Sequence, residues 1–284
     1  MTVTHTKTVQ YTLLTPSEYS QQTLGVNSGT RIETDQILLE PLLLERDAPK
    51  LWELYKNHKQ LFLYFPRGPC NSYEEFYNEQ ATFSRSSEYS NWVCYVSANS
   101  TSIDAAEASS DKEIQKNKKW VLCGSICLLD IQLPFRKCEI GAIWFHPSVH
   151  GTFVMLETTL ALLRFAFERL KCGRVQWKTH FQNIASQKAA TKLGFAFEGV
   201  HRKHMIHADG TWRHTYMYAM TDDDWLGREE TVDARPDMDI LAVHEEHVAT
   251  PVKGVRRDLE ELVKTKKKEG KPLPSSVVQG QELN

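Results

Sequence analysis

The chain has 284 residues, 41% hydrophobic and 25% charged, and its 34 Lys and Arg against 36 Asp and Glu leave a formal charge of −2. This is globular composition, long enough to bury a core in one or two domains, and its balanced charge argues against nucleic acid or an anionic membrane as a partner. Mean hydropathy is −0.45, no apolar run reaches the length of a membrane span, and the polar opening MTVTHTKTVQ has no secretory-signal pattern.

Residues 1–30 are rich in Thr, Ser and Gln without a sustained period and read as a flexible arm, in which Tyr11 to Leu14 can pair with a sheet edge. Pattern begins near Ile32. Ile37 to Leu44 alternates as a strand, and Asp47 is the expected N-cap of a helix carrying Leu51, Leu54 and Tyr55 at helical spacing. The loop Phe65-Pro66-Arg67-Gly68-Pro69-Cys70 follows. Ser72-Tyr73-Glu74-Glu75 then has the form of a capping box opening a helix to about Arg85. Asn91 to Ala98 and Trp120 to Asp130 read as meander strands, separated by a Ser-, Ala- and Lys-rich stretch (98–118) expected to be an exposed insertion loop.

Cys138 to Phe145 is a further strand, and Thr152 to Leu170 has the clearest helical stripe, with Leu156, Leu160, Leu163, Phe167 and Leu170 on one face. Gly173 stops it. Val175 to His180 is a strand, and Ile184 to Leu193 a helix ended by Gly194. Phe195 to Val200 and Arg213 to Met220 close the sheet as an antiparallel pair around Asp209-Gly210. Beyond Leu226 the chain turns polar, and residues 227–284 read as a mostly disordered tail. Within it Val255 to Lys268 has the spacing of a short helix with a solvated Lys run. Deleting residues 228–284 is therefore expected to leave the fold near normal.

The six cysteines, at 70, 94, 123, 127, 138 and 172, form no CxxC pair, so neither a zinc cluster nor a disulfide framework is expected. A reducing, cytoplasmic setting is the simplest expectation. His201, His204 and His207 do not suggest a metal site: on a strand 201 and 207 share one face and 204 the other.

The order β-α-α-β-β-β-α-β-α-β-β, with Gln176-Trp177-Lys178, Asn183, Ser186, Ala189-Ala190, Leu193-Gly194-Phe195, Glu198-Gly199, Arg202, Asp209-Gly210, Tyr218 and Trp225 in sequence, resembles the GNAT acyltransferases, in particular their RimJ/RimL-like branch. The resemblance covers Ile32 to Trp225, so the domain is placed at residues 31–226. It implies an α/β fold whose mixed, strongly twisted sheet splays open between two central strands, with helices on both faces. It also implies acetyl-CoA as co-substrate, no metal, and transfer of an acetyl group to a primary amine. The acceptor is expected to be a small molecule, with a protein N-terminus and a non-catalytic acyl-CoA-binding protein as alternatives, in a monomer or homodimer.

By the same resemblance, Ile143, Trp144 and Phe145 lie on the strand that pairs with pantetheine, in the manner of an added strand. The turn His150-Gly151-Thr152-Phe153-Val154 receives the pyrophosphate through free N–H groups at a helix start, helped by the Thr152 hydroxyl. The turn departs from the family pattern, with Phe153 and Met155 where later glycines are usual, so Phe153 is a candidate plug for the site. Asn183 is a CoA contact and helix cap. Ser186 is the candidate proton donor to the departing thiolate, because the family's more usual Tyr position is Ala190 here. Glu139 and Glu157 are candidate bases, Glu139 standing in phase with Gly141 and Ile143. The Tyr64 to Cys70 loop and the following helix are expected to wall the acceptor side.

Overall fold

The computed structural model describes residues 30–84, 88–98, 119–227 and 254–278. Most of the expected arm, nearly all of the insertion loop, and residues 228–253 lie outside the described residues.

The chain runs β1 (Ile32–Glu33), β2 (Ile37–Pro41), α1 (Leu44–Tyr55), α2 (Tyr73–Ser84), β3 (Ser90–Ser97), β4 (Trp120–Gln132) and β5 (Lys137–Phe145). Then follow α3 (Val154–Arg164), prolonged by a π turn (Phe165–Arg169), β6 (Arg174–His180), α4 (Ile184–Lys192), β7 (Ala196–Ile206) and β8 (Trp212–Thr221). Three short or late helices complete it: α5 (Asp222–Leu226), α6 (Val255–Glu269) and α7 (Ser275–Val278). The eight strands form one sheet in the order β1-β2-β3-β4-β5-β6-β8-β7. Only β5 and β6 run parallel, and their register covers just Lys137↔Arg174, Cys138↔Val175 and Glu139↔Gln176. The two strands have no ladder beyond that, which is the expected splay.

Cross-strand pairing fixes the faces. Trp144 pairs with Ser125, and Trp92 with Ile126; neighbouring residues of β4 point to opposite faces. Trp144 therefore meets Tyr55 and Phe62 on the α1 side, while Trp92 meets Phe165 on the α3 side. β4 is covered on both faces, and its Val121 to Leu128 run is wholly buried.

Local expectations shift by a few residues. Helix α1 starts at Leu44, three positions before Asp47, whose carboxylate accepts the N–H of Leu43 at 2.8 Å from inside the helix. Ser72 does cap α2 by accepting the Glu75 N–H, but Glu75 reaches back to the Asn71 N–H and not to Ser72. The six cysteines are all buried free thiols.

The tail is where the structure differs most. Residues 254–278 are packed, not solvated: Val255, Leu259, Val263, Leu273 and Val277 are buried in the main core. Gly194, at φ +90°, lets Val255 sit where a Cβ would lie 2.5 Å from its Cγ1. Ion pairs tie α6 to the domain, Arg164 with Glu260 at 2.6 Å and Lys267 with Glu157 at 2.9 Å. The polar composition hid an amphipathic stripe whose partner surface exists only after α3 and α5 have formed. No described helix is long and apolar enough to cross a membrane.

Candidate active site

Where β5 and β6 part, a cavity of about 870 Å³ opens between the two strands, reached by α2 from one face of the sheet and by α4 and Met155 of α3 from the other. Its walls are the edge of β5 from Glu139 to Phe145, the turn at Val149, His150 and Gly151, the start of α4, and the loop from Tyr64 to Arg67. Tyr55 fastens that loop: its hydroxyl accepts the Cys70 N–H at 2.6 Å and donates to the Cys70 carbonyl at 3.2 Å.

The β5 edge is irregular for a definable reason. Gly141 pairs with Cys127, but Trp144 pairs with Ser125, so three steps on β5 match two on β4. This is a β-bulge, and Ala142 stands in it at φ +47°. The bulge corrects the expected phase: Glu139 and Gly141 share a face with Trp144 instead of Ile143. The His146 N–H bonds to the Cys123 carbonyl. By ladder alternation Trp144 then directs its main chain to β4, and Phe145 directs its own to the opening. The His150 Nε2 lies 2.8 Å from the Phe145 carbonyl, on that open side.

The turn residues divide. His150 and Gly151 line the cavity, and Gly151 holds φ +77° with open space where a Cβ would be. Thr152, Phe153 and Val154 do not line it. The Thr152 hydroxyl donates to the Val149 carbonyl at 2.7 Å and accepts from the Val154 N–H. It is a turn cap and is not directed at a phosphate. Phe153 is 5% exposed and lies beneath Lys267 Nζ, 5.5 Å from the ring centroid. It packs away from the cavity, so it does not plug it. Met155 takes a place in the wall.

On α4, Asn183 accepts the Ser186 N–H at 3.1 Å as the N-cap, and both residues line the cavity. The Ser186 hydroxyl accepts the Trp177 indole N–H at 3.0 Å, and its own proton has no acceptor among the described residues. Ala190 is fully buried and outside the lining. The two candidate bases separate cleanly. Glu157 lies on the other face, bonded by Thr34 Oγ1 at 2.6 Å and by Lys267, and is a structural ion pair. Glu139 is buried in the cavity wall with Lys178 Nζ at 2.9 Å, and Lys178 also lies 3.5 Å from Asp130. Burial pushes the Glu139 carboxyl above the usual range, and Lys178 only partly offsets it. Burial pulls the Lys178 ammonium down, but Glu139 and Asp130 outweigh it, so the net shift is upward.

The histidines also differ from strict alternation. β7 slips register between His201 and Met205 with Lys203 at φ +52°, which brings the His201 and His204 rings within 5.2 Å. Among the described residues no group of His, Cys, Asp or Glu is arranged to hold a metal.

Residues 36–196, more than half of the chain, match the model of the acetyltransferase (GNAT) domain. The chain belongs to the GNAT acetyltransferases. It is 28% identical over 108 residues to "Putative ribosomal N-acetyltransferase YdaF" of Bacillus subtilis (strain 168), a match spanning 38% of this chain and 58% of that protein. A "probable acetyltransferases (GNAT family)" structure from Chromobacterium violaceum ATCC 12472 superposes with a TM-score of 0.57 and 25% identity, covering 68% of this chain and 86% of that one. RimL, titled a ribosomal L7/L12 alpha-N-protein acetyltransferase, shares the fold with a TM-score of 0.53 at 19% identity, over 68% of this chain and 94% of its own. These neighbours agree with the RimJ/RimL-like resemblance of the sequence.

The cavity of this GNAT chain fits the family's co-substrate. The diverging edge of β5 offers main-chain groups to an extended pantetheine, and Gly151 with the first turn of α3 offers N–H groups and a positive helix end to a diphosphate.

Proposed function

We propose that this GNAT protein transfers an acetyl group from acetyl-CoA to a primary amine by direct attack within one ternary complex. The observation that carries the reading is continuity: one cavity joins the open β5 edge and the Gly151 turn to the buried Glu139. Acetyl-CoA supplies the activated acyl carbon. Pantetheine would lie along Ile143 to Phe145, with the diphosphate at His150 and Gly151 and a further contact at Asn183.

Glu139 has the placement and the raised pKa of a base that takes a proton from the acceptor ammonium, so that a neutral nitrogen attacks. The Phe145 N–H, aimed at the opening, stabilises charge on the acyl oxygen. As the new C–N bond forms and the C–S bond breaks, the electron pair goes to sulfur. Ser186 donates its hydroxyl proton to that sulfur, its oxygen held by the Trp177 indole, and is reprotonated by the second proton that the acylated nitrogen loses. Both reactants are fixed in one cleft, which supplies much of the rate.

The acceptor reading is a small molecule entering beside Tyr64, Phe65 and Arg67. A protein N-terminus is the second reading, and the word ribosomal in the name of the YdaF relative is compatible with a protein acceptor. Six buried free thiols support a reducing, cytoplasmic location. The test is calorimetric titration with acetyl-CoA, followed by thiol release over panels of small amines and N-terminal peptides. Binding with stoichiometric CoA release on an amine is expected. Binding without release on any amine would make this a non-catalytic acyl-CoA-binding protein, and absent binding at about 1 mM, an affinity worth only ~4 kcal/mol, would remove both. In the same assay Ser186→Ala should lower kcat by about 10- to 100-fold with acetyl-CoA affinity held; a wild-type rate would discard the donor role.

A further inference from the structure

The chemistry above leaves a buried cation in the cavity unused. Arg213, the second residue of β8, is 7% exposed and lines the same cavity as Glu139. A guanidinium this deeply buried is ordinarily neutralised by a carboxylate at hydrogen-bond distance. Among the described residues Arg213 has none. Its Nη1 reaches the Met205 Sδ at 3.2 Å, a weak acceptor, and its Nε is buried with no partner at all. Burial lowers its pKa while Glu139 acts in the opposite sense, but a guanidinium remains protonated at any working pH.

The surroundings do not supply the missing anion. Burial depresses the pKa of His180, and His207, Arg213 and His214 add to the effect. Burial likewise depresses that of His204, with His201, Lys178 and Arg213 adding. Both shifts favour the neutral ring over the charged one. The irregular segment of β7 sets Met205 directly opposite Arg213 on the ladder, so an apolar thioether stands where a structural partner would be acidic. Glu139 acts on Arg213 through space, but Lys178 already engages it.

We infer that Arg213 binds a carboxylate on the acceptor, making the substrate class a short primary amine that carries a carboxylate, an amino-acid-like zwitterion. This rests on the acetyl-transfer reading for the amine end alone. The planar fork of a guanidinium matches a carboxylate through two parallel N–H bonds. The cavity that holds Arg213 is also lined by the carboxylates of Glu79, Glu88, Asp130 and Glu139, beside the cations Arg67 and Lys178, so the ammonium of the same molecule has acidic groups to meet. A lining of both signs suits a zwitterion better than a polyamine. A buried donor left without its partner penalises any analogue lacking the anion, which is how a polar pocket discriminates.

The test is calorimetric binding to the full chain with CoA present. The probes are glycine, β-alanine and a set of L-amino acids, each paired with its own carboxamide, and phosphoethanolamine. At least one carboxylate should bind about tenfold or more tighter than its carboxamide. Arg213→Gln should bring that ratio near one with acetyl-CoA affinity unchanged, and Arg213→Lys should retain part of it. No carboxylate preference in any wild-type pair, tighter binding of phosphoethanolamine, or a ratio that survives Arg213→Gln would overturn the inference. The wild-type ratio needs no variant, so an unstable Arg213→Gln protein does not spare the proposal. A carboxylate preference without CoA release would sink the acetyl-transfer reading and leave this one standing; turnover of uncharged amines with no carboxylate preference would do the reverse.

Discussion

Glu139 shows how one side chain can serve the reaction at some cost to the fold. Its carboxyl is buried where β5 and β6 part, and burial raises its pKa in spite of the Lys178 ammonium 2.9 Å away. Only the ionised form accepts a proton, so activity should fall as pH drops through this raised pKa. The acid limb of kcat/KM should therefore sit above the range of an exposed carboxylate. Glu139→Gln should cut kcat/KM by about 10²-fold at neutral pH and remove that limb while acetyl-CoA binding persists; an unchanged pH profile would show that another group, or water, is the base. The sequence offered Glu139 and Glu157 as candidate bases, with Glu139 the chosen catalytic residue. They differ because the strand face of one opens on the cavity, while the helix face of the other meets Thr34 and Lys267.

At the scale of elements, the site depends on two interruptions. The bulge at Ala142 turns Trp144 onto the face of Glu139, and the early end of the β5–β6 ladder leaves the edge of β5 free. Residue alternation predicted neither, because a bulge is a mismatch between two strands and cannot be seen in one. The α4 start was legible: Asn183 before Ile184 is a capping pattern, and Asn183 caps Ser186 as expected. Asn183→Ala should cost about 1 kcal/mol of stability and weaken acetyl-CoA binding. Calorimetry separates the two effects, and a lowered melting temperature with unchanged affinity would leave Asn183 a cap and nothing more. The turn before α3 was half legible. Gly151 lies in the wall, but Thr152 and Phe153 point into the protein, because the Val149 carbonyl takes the Thr152 hydroxyl and α6 covers the Phe153 ring.

At the scale of the molecule, the late helices belong to the domain. Val255, Leu259, Val263, Leu273 and Val277 are buried, and Lys267 reaches across to Glu157 near the base of α3. The expectation that residues 228–284 are dispensable is therefore replaced. Removing them should lower the melting temperature and the soluble yield, since each lost apolar side chain is worth about 1.5–3 kcal/mol of burial at most. Leu259→Ala alone should cost about 2–5 kcal/mol in denaturant titrations. A truncated chain melting like the full one would show that α6 only rests on the surface.

The sequence alone determined the element order from β2 to β8, the strand and helix types there, the α4 cap and the family resemblance, because period, caps and turns are local physics. It also carried the apolar stripe of α6, but not that stripe's partner. Tertiary structure decided the rest: which carboxylate faces the cavity, which turn residues line it, and that Arg213 is buried there without an acidic partner among the described residues. The reason is common to all three. A side chain's solvent, neighbours and charge environment are set by strands and helices far away in the chain, and no window of residues contains them.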